Sequence, residues 1–271
     1  MSFALALTRN SSIPLRVRKK IGRMVPVPAN HDFSSDVFGQ RYSGSTRTHL
    51  DRKVYLYGMH EPATIRLLRD LLARVKAEGR SAVYVDIGLN TGLHALGVAG
   101  VADAVYGFEP WGTVRAQAEK NFRDNALSHA RIFPFGLSDA DAFLPFALPE
   151  DDNLGTGAFS PEGKENLEVR CGDDFFAAEG IVPAVIKIDV EGHEKNVLRG
   201  LPKILRSARP FVVFEYGSVS RKDFDSAAKR EALFGSGYHY YGIRRSREYP
   251  VLAPFDPSKK WENVLASPVA F

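Results

Sequence analysis

The chain of 271 residues contains one cysteine, Cys171, three methionines and two tryptophans. A single cysteine excludes an intramolecular disulfide and a zinc site built from cysteines. The sequence lacks any run of 18 apolar residues, the length that a membrane-spanning helix needs. Its formal net charge is only +4, which by itself does not indicate nucleic-acid binding. The fractions of hydrophobic and charged residues, 44% and 25%, are those of an ordinary globular protein and exclude a disordered or collagen-like chain.

The N-terminal segment is apolar at residues 1–7 and basic at residues 16–23. A secretory signal carries its charges before a longer apolar run, so this order argues against export and predicts a cytoplasmic protein. The basic residues suit either a solvated arm or a segment attracted to an anionic membrane surface, and so short a run favours the solvated arm. Residues 1–60 show little regular pattern beyond a short strand predicted at 53–57.

From Pro62 onward, helical and strand patterns alternate. A helix is predicted from Pro62 to Gly79, because apolar residues recur there at three- and four-residue spacing. Short apolar runs predict buried strands at 82–88, 104–108, 131–135, 183–189 and 210–215, with helices at 93–100, 111–125 and 194–207. Further strands are predicted at 143–148, 167–171, 238–243 and 263–266, the last two as an antiparallel edge. The alternation predicts one α/β domain with a mostly parallel sheet and helices on both faces.

Polar motifs follow the first two predicted strands. Gly88 and Gly92, in the pattern Gly-x-Asn-x-Gly around Asn90, allow a tight turn and a close approach of the backbone to a ligand. Glu109 comes 23 residues after Asp86, where an acid can accept hydrogen bonds from both hydroxyls of a ribose. Together they predict a ligand with an adenosine-like half. The spacing differs from the Gly-x-Gly-x-x-Gly of dinucleotide sites and from a P-loop, which argues against a nicotinamide oxidoreductase or a nucleotide triphosphatase.

Acidic residues cluster after the fourth predicted strand. Asp189 ends the strand and is expected to face the cleft, whereas Glu191 and Glu194 begin the next helix, where the helix dipole alone explains them. His193 has the near-neutral pKa of a general base, and a surface histidine at a helix start is the alternative interpretation. Asp189, Glu191 and His193 also have the chemistry of a metal site, but the dipole explains the carboxylates and no metal is predicted.

Lys187 lies inside the same buried strand, where a charge needs a partner. Glu215 ends the neighbouring predicted strand. We therefore predict an ion pair between Lys187 and Glu215 near the cleft.

These motifs resemble those of the FkbM-type family of S-adenosylmethionine-dependent methyltransferases over about three-quarters of the chain. The matching pieces are residues 58–62, 85–92, 107–110, Asn121, Asn125, 136–139, 186–194, 198–200, Pro210 and Glu215. The most specific piece is Lys-Ile-Asp-Val-Glu-Gly at 187–192 with its downstream Leu-Arg-Gly. Leu89 and His193 stand where the family often has alanine. Leu89 should be tolerated, whereas a catalytic role for His193 has no support in the family pattern.

The resemblance implies a Rossmann-like class I methyltransferase fold with seven strands, the last antiparallel. It places the methyltransferase domain at residues 58–271, and leaves residues 1–57 as an N-terminal extension that covers the acceptor site. The implied reaction is methyl transfer from S-adenosylmethionine to a hydroxyl oxygen of a sugar, polysaccharide or natural-product acceptor. No divalent metal ion is expected.

The resemblance also implies roles for individual residues. Those expected to hold the cofactor are Glu61, Asp86, Gly88, Asn90, Gly92, Glu109, Ser138 and Asp189. Asp189 is the first choice for contacting the acceptor or its proton, followed by His193, Glu191 and Glu215.

Two alternatives stay open. Basic clusters at Arg244, Arg245 and Arg247 and at Lys259 and Lys260 suit a nucleic-acid methyltransferase, although an ordinary basic tail explains them and no Asn-Pro-Pro-Tyr-like motif is present. The other alternative is a non-catalytic nucleoside-binding or scaffold protein with the same fold, against which the intact acids at 86, 109 and 189 argue. Aromatic residues in the loop regions are expected to be mostly core, with some able to stack on a sugar: Phe143, Phe146, Phe159, Tyr216, Tyr238, Tyr240 and Tyr241.

Overall fold

The computed structural model of the protein describes residues 3–10, 12–149, 153–244 and 248–271. Arg245 and Arg247 of the basic cluster, and the start of the apolar N-terminal run, lie outside the described residues. Within them, every helix is too short or too polar to cross a bilayer.

The N-terminal residues form two short helices, a β-hairpin and a third helix. These are α1 (Phe3–Arg9), α2 (Leu15–Gly22), β1 (Asp32–Val37), β2 (Gln40–Ser45) and α3 (His49–Tyr57). The strand predicted at 53–57 is wrong, because this segment is the second half of α3. The hydroxyl of Thr48 accepts a hydrogen bond from the Asp51 backbone N–H at 3.1 Å and caps this helix. Val54 then turns toward the core and is fully buried.

Strands and helices alternate through the remainder of the chain. The elements in order are α4 (Pro62–Ala77), β3 (Val83–Ile87), α5 (Leu93–Ala99), β4 (Ala104–Phe108), α6 (Gly112–Asp124), β5 (Ala130–Phe133), β6 (Gly136–Ser138), β7 (Ala142–Ala147), β8 (Ala158–Phe159), β9 (Glu165–Cys171), α7 (Gly172–Glu179), β10 (Val185–Ile188), α8 (Glu194–Arg199), α9 (Pro202–Ser207), β11 (Phe211–Glu215), α10 (Arg221–Phe224), α11 (Ala227–Phe234), β12 (His239–Ile243), β13 (Leu252–Pro254) and β14 (Asn263–Ser267).

The main sheet has eight strands over the described residues, in the order β13-β12-β14-β11-β10-β3-β4-β5. Strands β5, β4, β3, β10 and β11 are parallel, as predicted. The final strand, β14, runs antiparallel between β11 and β12, which confirms the antiparallel last strand. The expectation of seven strands omitted β13, an edge strand of three residues that ends in a proline and so gives little sequence signal. A smaller sheet, in the order β6-β9-β7-β8, stands beside the main one.

Both faces of the main sheet are buried. Alternate residues of one strand enter opposite cores, so that Tyr84 packs into one hydrophobic cluster and Val85 into the other. The N-terminal residues Val37, Tyr42 and Val54 belong to the first cluster, together with α4 and α5. The N-terminal extension is therefore part of one of the two hydrophobic cores that pack against the main sheet.

The hairpin docks on α6 through two asparagines. The side chain of Asn121 accepts a hydrogen bond from the backbone N–H of Ser43 at 2.8 Å. The side chain of Asn125 bonds both the N–H and the carbonyl oxygen of Arg41, each at 2.7 Å. Asn121 also donates to the carbonyl oxygen of Thr91 at 3.3 Å, and so joins the hairpin to the loop after β3.

Candidate active site

Three adjoining cavities open at the carboxyl ends of β3, β4, β10 and β11. Residues that line the first, the inner cavity, include Gly88, Asn90, Glu109, Trp111, Leu137, Phe146, Phe159, Asp189, Glu191 and His193. Residues that line the second, the central cavity, include His49, Lys53, Glu61, Gly88, Asn90, His94, Lys187, Asp189, Glu191, Glu215 and Glu262. Residues that line the third, the outer groove, include Glu215, Tyr216, Arg221, Arg244, Lys259, Lys260, Trp261 and Glu262. Shared residues make the three a continuous cleft.

The loop after β3 requires glycine at its first position. Gly88 has φ +84°, and a Cβ there would stand 1.9 Å from the carbonyl oxygen of Asp189. Asn90 also has a positive φ, 52°, and its side-chain oxygen accepts the N–H of Thr91 at 2.7 Å. Leu89 is accommodated as expected, because its side chain packs over Gly107, where a Cβ would lie 2.6 Å from it. The loop backbone thus lies against the strand ends and lines the cleft.

The N-terminal extension holds this loop from the outside. The hydroxyl of Tyr42 lies 2.6 Å from Asp51 Oδ1 and 2.9 Å from Thr91 Oγ1, and all three side chains are buried. Helix α3 also brings His49 and Lys53 to the wall of the central cavity. The role of residues 1–57 as a cover for an acceptor stays a prediction, now with named residues at the cavity wall.

Glu109 lies at the end of β4 and is only 7% exposed. Its two carboxylate oxygens accept the N–H of Asn90 at 2.8 Å and the N–H of Trp111 at 2.9 Å. Burial raises the pKa of Glu109 to about 7, although these hydrogen bonds oppose the rise. The carboxylate is therefore fixed in orientation at the inner cavity and titrates near neutral pH.

Aromatic side chains form the walls of the inner cavity. The ring centroids of Trp111 and Phe146 lie 6.1 Å apart. Those of Phe146 and Phe159 lie 5.4 Å apart, in an edge-to-face arrangement. His193 lies 5.1 Å from Phe159, and its Nε2 is 3.0 Å from the hydroxyl of Ser138, which is itself buried. Burial lowers the pKa of His193, so its ring is neutral at physiological pH. His193 therefore lines the inner cavity with the buried Ser138 hydroxyl as its hydrogen-bond partner, whereas Glu215 lines the central cavity and the outer groove.

Sequence reasoning missed Trp111 as a wall of this cavity and favoured core positions for Phe146 and Phe159. Their one sequence signal is position, since Trp111 lies two residues after Glu109 and the two phenylalanines lie in the segment that interrupts the strand–helix alternation. Phe143 is 71% exposed and does not line the cleft, whereas Tyr216 is buried beside the outer groove.

Three charges of alternating sign, those of Asp86, Lys187 and Asp189, lie side by side at the central cavity. The ammonium nitrogen of Lys187 lies 2.9 Å from Asp189 Oδ2 and 3.9 Å from Asp86 Oδ1, and both Lys187 and Asp86 are almost fully buried. Burial alone would lower the pKa of Lys187, but the two carboxylates outweigh burial and raise it. Burial raises the pKa of Asp86. Lys187 therefore stays charged and neutralises the carboxylates on either side.

The predicted Lys187–Glu215 ion pair is wrong. The register of the sheet places Lys187 beside Asp86 on one strand and Val213 on the other. Glu215 lies two residues after Val213 on β11. It stands beside the end of β10, and its neighbour there is Asp189. Its strongest charge interactions are therefore repulsions from carboxylates, while Lys187 contributes a weaker attraction.

Asp189, Glu191 and Glu215 form an acidic trio, with one oxygen of each within 4.8 Å of the others. Burial, followed by the neighbouring carboxylates, raises the pKa of Glu191 to about 7 and that of Glu215 to about 8. Glu215 takes the place in this cluster that the residue pattern predicted for His193. Such carboxylates can share a proton, attract a cationic ligand or bind a hard metal ion, and the expectation of no metal stays a prediction.

Glu194 has a structural role. Its carboxylate accepts the N–H groups of Val190 and Gly192 at 3.2 and 3.1 Å and closes the turn before α8. This agrees with the explanation of Glu194 from the helix start alone.

Glu61 closes the far corner of the central cavity. It precedes α4 with a left-handed backbone, φ 49°, and its carboxylate lies 3.4 Å from His94 Nε2 and 3.9 Å from His60 Nε2. Asn263 on β14 donates to it at 3.3 Å. Burial alone would raise the pKa of Glu61, but the two histidines and Lys187 lower it well below its usual value. Glu61 therefore places a permanent negative charge in the cavity, and His94 is a site residue that sequence reasoning missed.

The fold is that of the class I S-adenosylmethionine-dependent methyltransferases. A solved structure of a SAM-dependent methyltransferase from Agrobacterium tumefaciens superposes with a TM-score of 0.50 at 12% identity, covering 90% of this chain and 72% of the other. A structure of a methyltransferase FkbM from Methylobacillus flagellatus KT gives a TM-score of 0.48 at 18% identity, covering 69% of this chain and 43% of the other.

The chain belongs to the FkbM methyltransferase family. The family model described as the methyltransferase FkbM domain matches residues 86–240, more than half of the chain. A curated relative, the hexuronic acid methyltransferase AglP of Haloferax volcanii, is 31% identical over 164 residues, which are 60% of this chain and 65% of that protein. The match thus spans less than two thirds of the length of this relative.

Proposed function

We propose that the protein transfers a methyl group from S-adenosylmethionine to a hydroxyl oxygen of a saccharide. The observation that carries the proposal is the cleft itself, in which Gly88 and Glu109 at the inner cavity lead directly to the acidic trio of the central cavity. Family membership supports methyl transfer, and the name of the relative AglP, a hexuronic acid methyltransferase, supports a saccharide acceptor.

The residues of the cleft fit S-adenosylmethionine. Gly88 lets the loop after β3 pack directly against the backbone of Asp189, which brings both residues to the wall of the inner cavity. The carboxylate of Glu109 has lone pairs free of its two backbone hydrogen bonds, which ribose hydroxyls can use. The aromatic walls around Trp111 suit a purine ring. Glu61 has the charge to attract the ammonium group of the methionine part, and Asp86 acts indirectly by holding Lys187.

The chemistry of the transfer asks little of the protein beyond orientation and proton acceptance. When bound, S-adenosylmethionine would supply a methyl group on a positively charged sulfonium, which is a good electrophile. The acceptor hydroxyl must give up its proton as its oxygen forms the new bond. Glu215 is placed to take this proton, because it lines both the central cavity and the outer groove and has a pKa near 8. Asp189, held by Lys187 at 2.9 Å, would position the hydroxyl.

The first test is cofactor binding by isothermal titration calorimetry. We expect Glu109→Ala to weaken the binding of S-adenosylmethionine and S-adenosylhomocysteine about 10–100-fold, because it removes charge-assisted hydrogen bonds. Glu165→Ala changes an exposed glutamate on β9 and should leave binding unaltered. A folded wild-type protein that binds neither ligand would refute the proposed function. Equal affinities of wild type and Glu109→Ala would refute the role of Glu109.

The pH dependence of S-adenosylhomocysteine binding tests the state of Glu109. With a pKa of about 7, its carboxylate is mostly protonated at pH 6 and mostly ionised at pH 8. Since the ionised form accepts the ribose hydrogen bonds, we expect affinity to rise with pH and level off above 7, about tenfold weaker at pH 6 than at pH 8. S-adenosylhomocysteine is the suitable probe, because it lacks the sulfonium charge on which Glu191 and Glu215 act. Glu109→Gln should flatten the profile; an unchanged slope in this variant would assign the titration to another group.

A further inference from the structure

The outer groove is lined by charges of both signs. Its inner end, shared with the central cavity, holds Glu215 and Glu262. The groove is also lined by four cations that the central cavity does not share, Arg221, Arg244, Lys259 and Lys260, the last three of them exposed. A ligand that reaches from the central cavity along this groove therefore passes from a negative to a positive environment.

The groove also has a fixed aromatic surface. Trp261 lies flat against Gly242 on β12, where a Cβ would stand only 2.2 Å from its ring. Its indole N–H donates to the carbonyl oxygen of Asp256 at 2.8 Å, which fixes the ring orientation. Tyr216 is buried beside it, with the guanidinium of Arg221 over its ring at 5.4 Å. A rigid indole offers an apolar face against which a sugar ring can pack without ordering a flexible side chain.

Some cations of the groove make contacts within the protein, and others face solvent. Arg221 donates to the carbonyl oxygen of Lys259, and the ammonium group of Lys259 lies 3.4 Å from Asp256. Arg244 directly follows β12, whereas Lys260 lies in the loop between β13 and β14, and both line the groove with Trp261. Their separation along the chain means that the groove is built by the fold and does not reflect one basic run.

From this arrangement we infer that the acceptor is an anionic saccharide, whose carboxylate or phosphate group lies at Arg244 and Lys260 while its reacting hydroxyl lies at Glu215. The inference rests on the proposed function and specifies the acceptor class of the same cleft. Opposite charges at the two ends orient such an acceptor, since the reverse orientation would place its anion against the acidic trio. A neutral saccharide would gain only the contact with Trp261, and an acceptor with a cationic outer end would be repelled.

The test compares the binding of trigalacturonic acid and the neutral galactotriose, measured by calorimetry at pH 8 with and without S-adenosylhomocysteine. We expect trigalacturonic acid to bind at least about tenfold more tightly, and the preference to shrink as salt is raised from 0.05 to 0.5 M. The double variant Arg244→Gln/Lys260→Gln should remove the preference. Arg123→Gln, a change of one exposed cation on α6, should leave it intact. Galacturonic acid and glucose 1-phosphate, compared as single sugars, show whether a carboxylate or a phosphate is preferred.

Two results would overturn the inference. One is equal or absent binding of the charged and neutral trisaccharides, and the other is a preference that survives the double substitution. Either result leaves the proposed function standing if S-adenosylhomocysteine still binds. Conversely, a wild-type protein without affinity for S-adenosylhomocysteine refutes the proposed function, whereas the saccharide preference measured without that ligand still decides the role of the groove.

Discussion

Lys187→Met is expected to destabilise the protein by about 3–5 kcal/mol, which lowers the thermal midpoint by roughly 10 °C. The substitution removes the cation that lies between Asp86 and Asp189, and leaves Asp86, 1% exposed, with the weaker interactions of His94 and Tyr84. Methionine has a similar volume, so the loss arises from charge and not from a cavity. Chemical denaturation at pH 7 measures the free energy of unfolding directly. Lys195→Met, which breaks an exposed pair with Asp223, should cost less than about 1 kcal/mol.

The pH dependence of the Lys187→Met effect separates charge from packing. Without Lys187, the pKa of the buried Asp86 carboxyl rises further, so at low pH this group is protonated in both the folded and the unfolded protein. Its cost to the folded state then disappears. The difference in stability between wild type and variant should therefore be largest at neutral pH and shrink below about pH 5. A difference that is constant with pH would show that packing, and not charge, explains the loss.

Glu215→Gln is expected to reduce the turnover of trigalacturonic acid by about 10²–10⁴-fold, the usual range for loss of a general base. The affinity for S-adenosylhomocysteine should change by less than about threefold, because that ligand has no sulfonium charge for Glu215 to attract. Glu231→Gln changes an exposed glutamate on α11 and serves as the control. Near-normal turnover of Glu215→Gln would remove this residue from the proposed mechanism and return Asp189 to first place.

The pH profile distinguishes Glu215 from Asp189. In the wild type, kcat/KM should rise with pH and level off above about 8, where Glu215 becomes ionised. The Asp189 carboxylate is one cause of this high pKa. In Asp189→Asn the rising limb should therefore move to lower pH, even though maximal turnover falls through loss of positioning. Two results together would contradict the roles of Glu215 and Asp189: a rising limb of kcat/KM that stays near pH 8 in Asp189→Asn, and the same rising limb in Glu215→Gln.

Much of the sheet could be predicted because β3, β4, β10 and β11 are buried on both faces. Such strands are apolar runs, interrupted in β10 by Lys187, and Asp86, Glu109 and Asp189 lie within one residue of the ends of β3, β4 and β10. The loop at Gly88 was equally visible, because a positive φ there restricts the residue type.

The parts that could not be predicted depend on register and on distant contacts. The ion-pair partner of Lys187 depends on which residues of β3 and β11 stand beside it. A shift of the strand register by one residue would give Lys187 different neighbours. The acidic trio likewise requires Glu215 to stand next to Asp189 across two strands. In α3 the local cap from Thr48 outweighed a strand-like residue pattern. The outer groove combines residues from three separate segments, which no local pattern connects.

The docking of the N-terminal hairpin on α6 has a consequence for how the sequence can diverge. Asn121 and Asn125 use their side chains, whereas their partners at Ser43 and Arg41 contribute only backbone N–H and carbonyl groups. Substitution at positions 41 and 43 by any residue except proline leaves those backbone groups in place, so mutations can accumulate at these two positions while the two asparagines stay constrained. At Tyr42 the hairpin does contribute a side chain, because its hydroxyl accepts a hydrogen bond from Gln117 Nε2 at 3.0 Å. At the two asparagines, however, only the helical half constrains the sequence; it lies within residues 86–240, which match the family, whereas the hairpin half lies outside them.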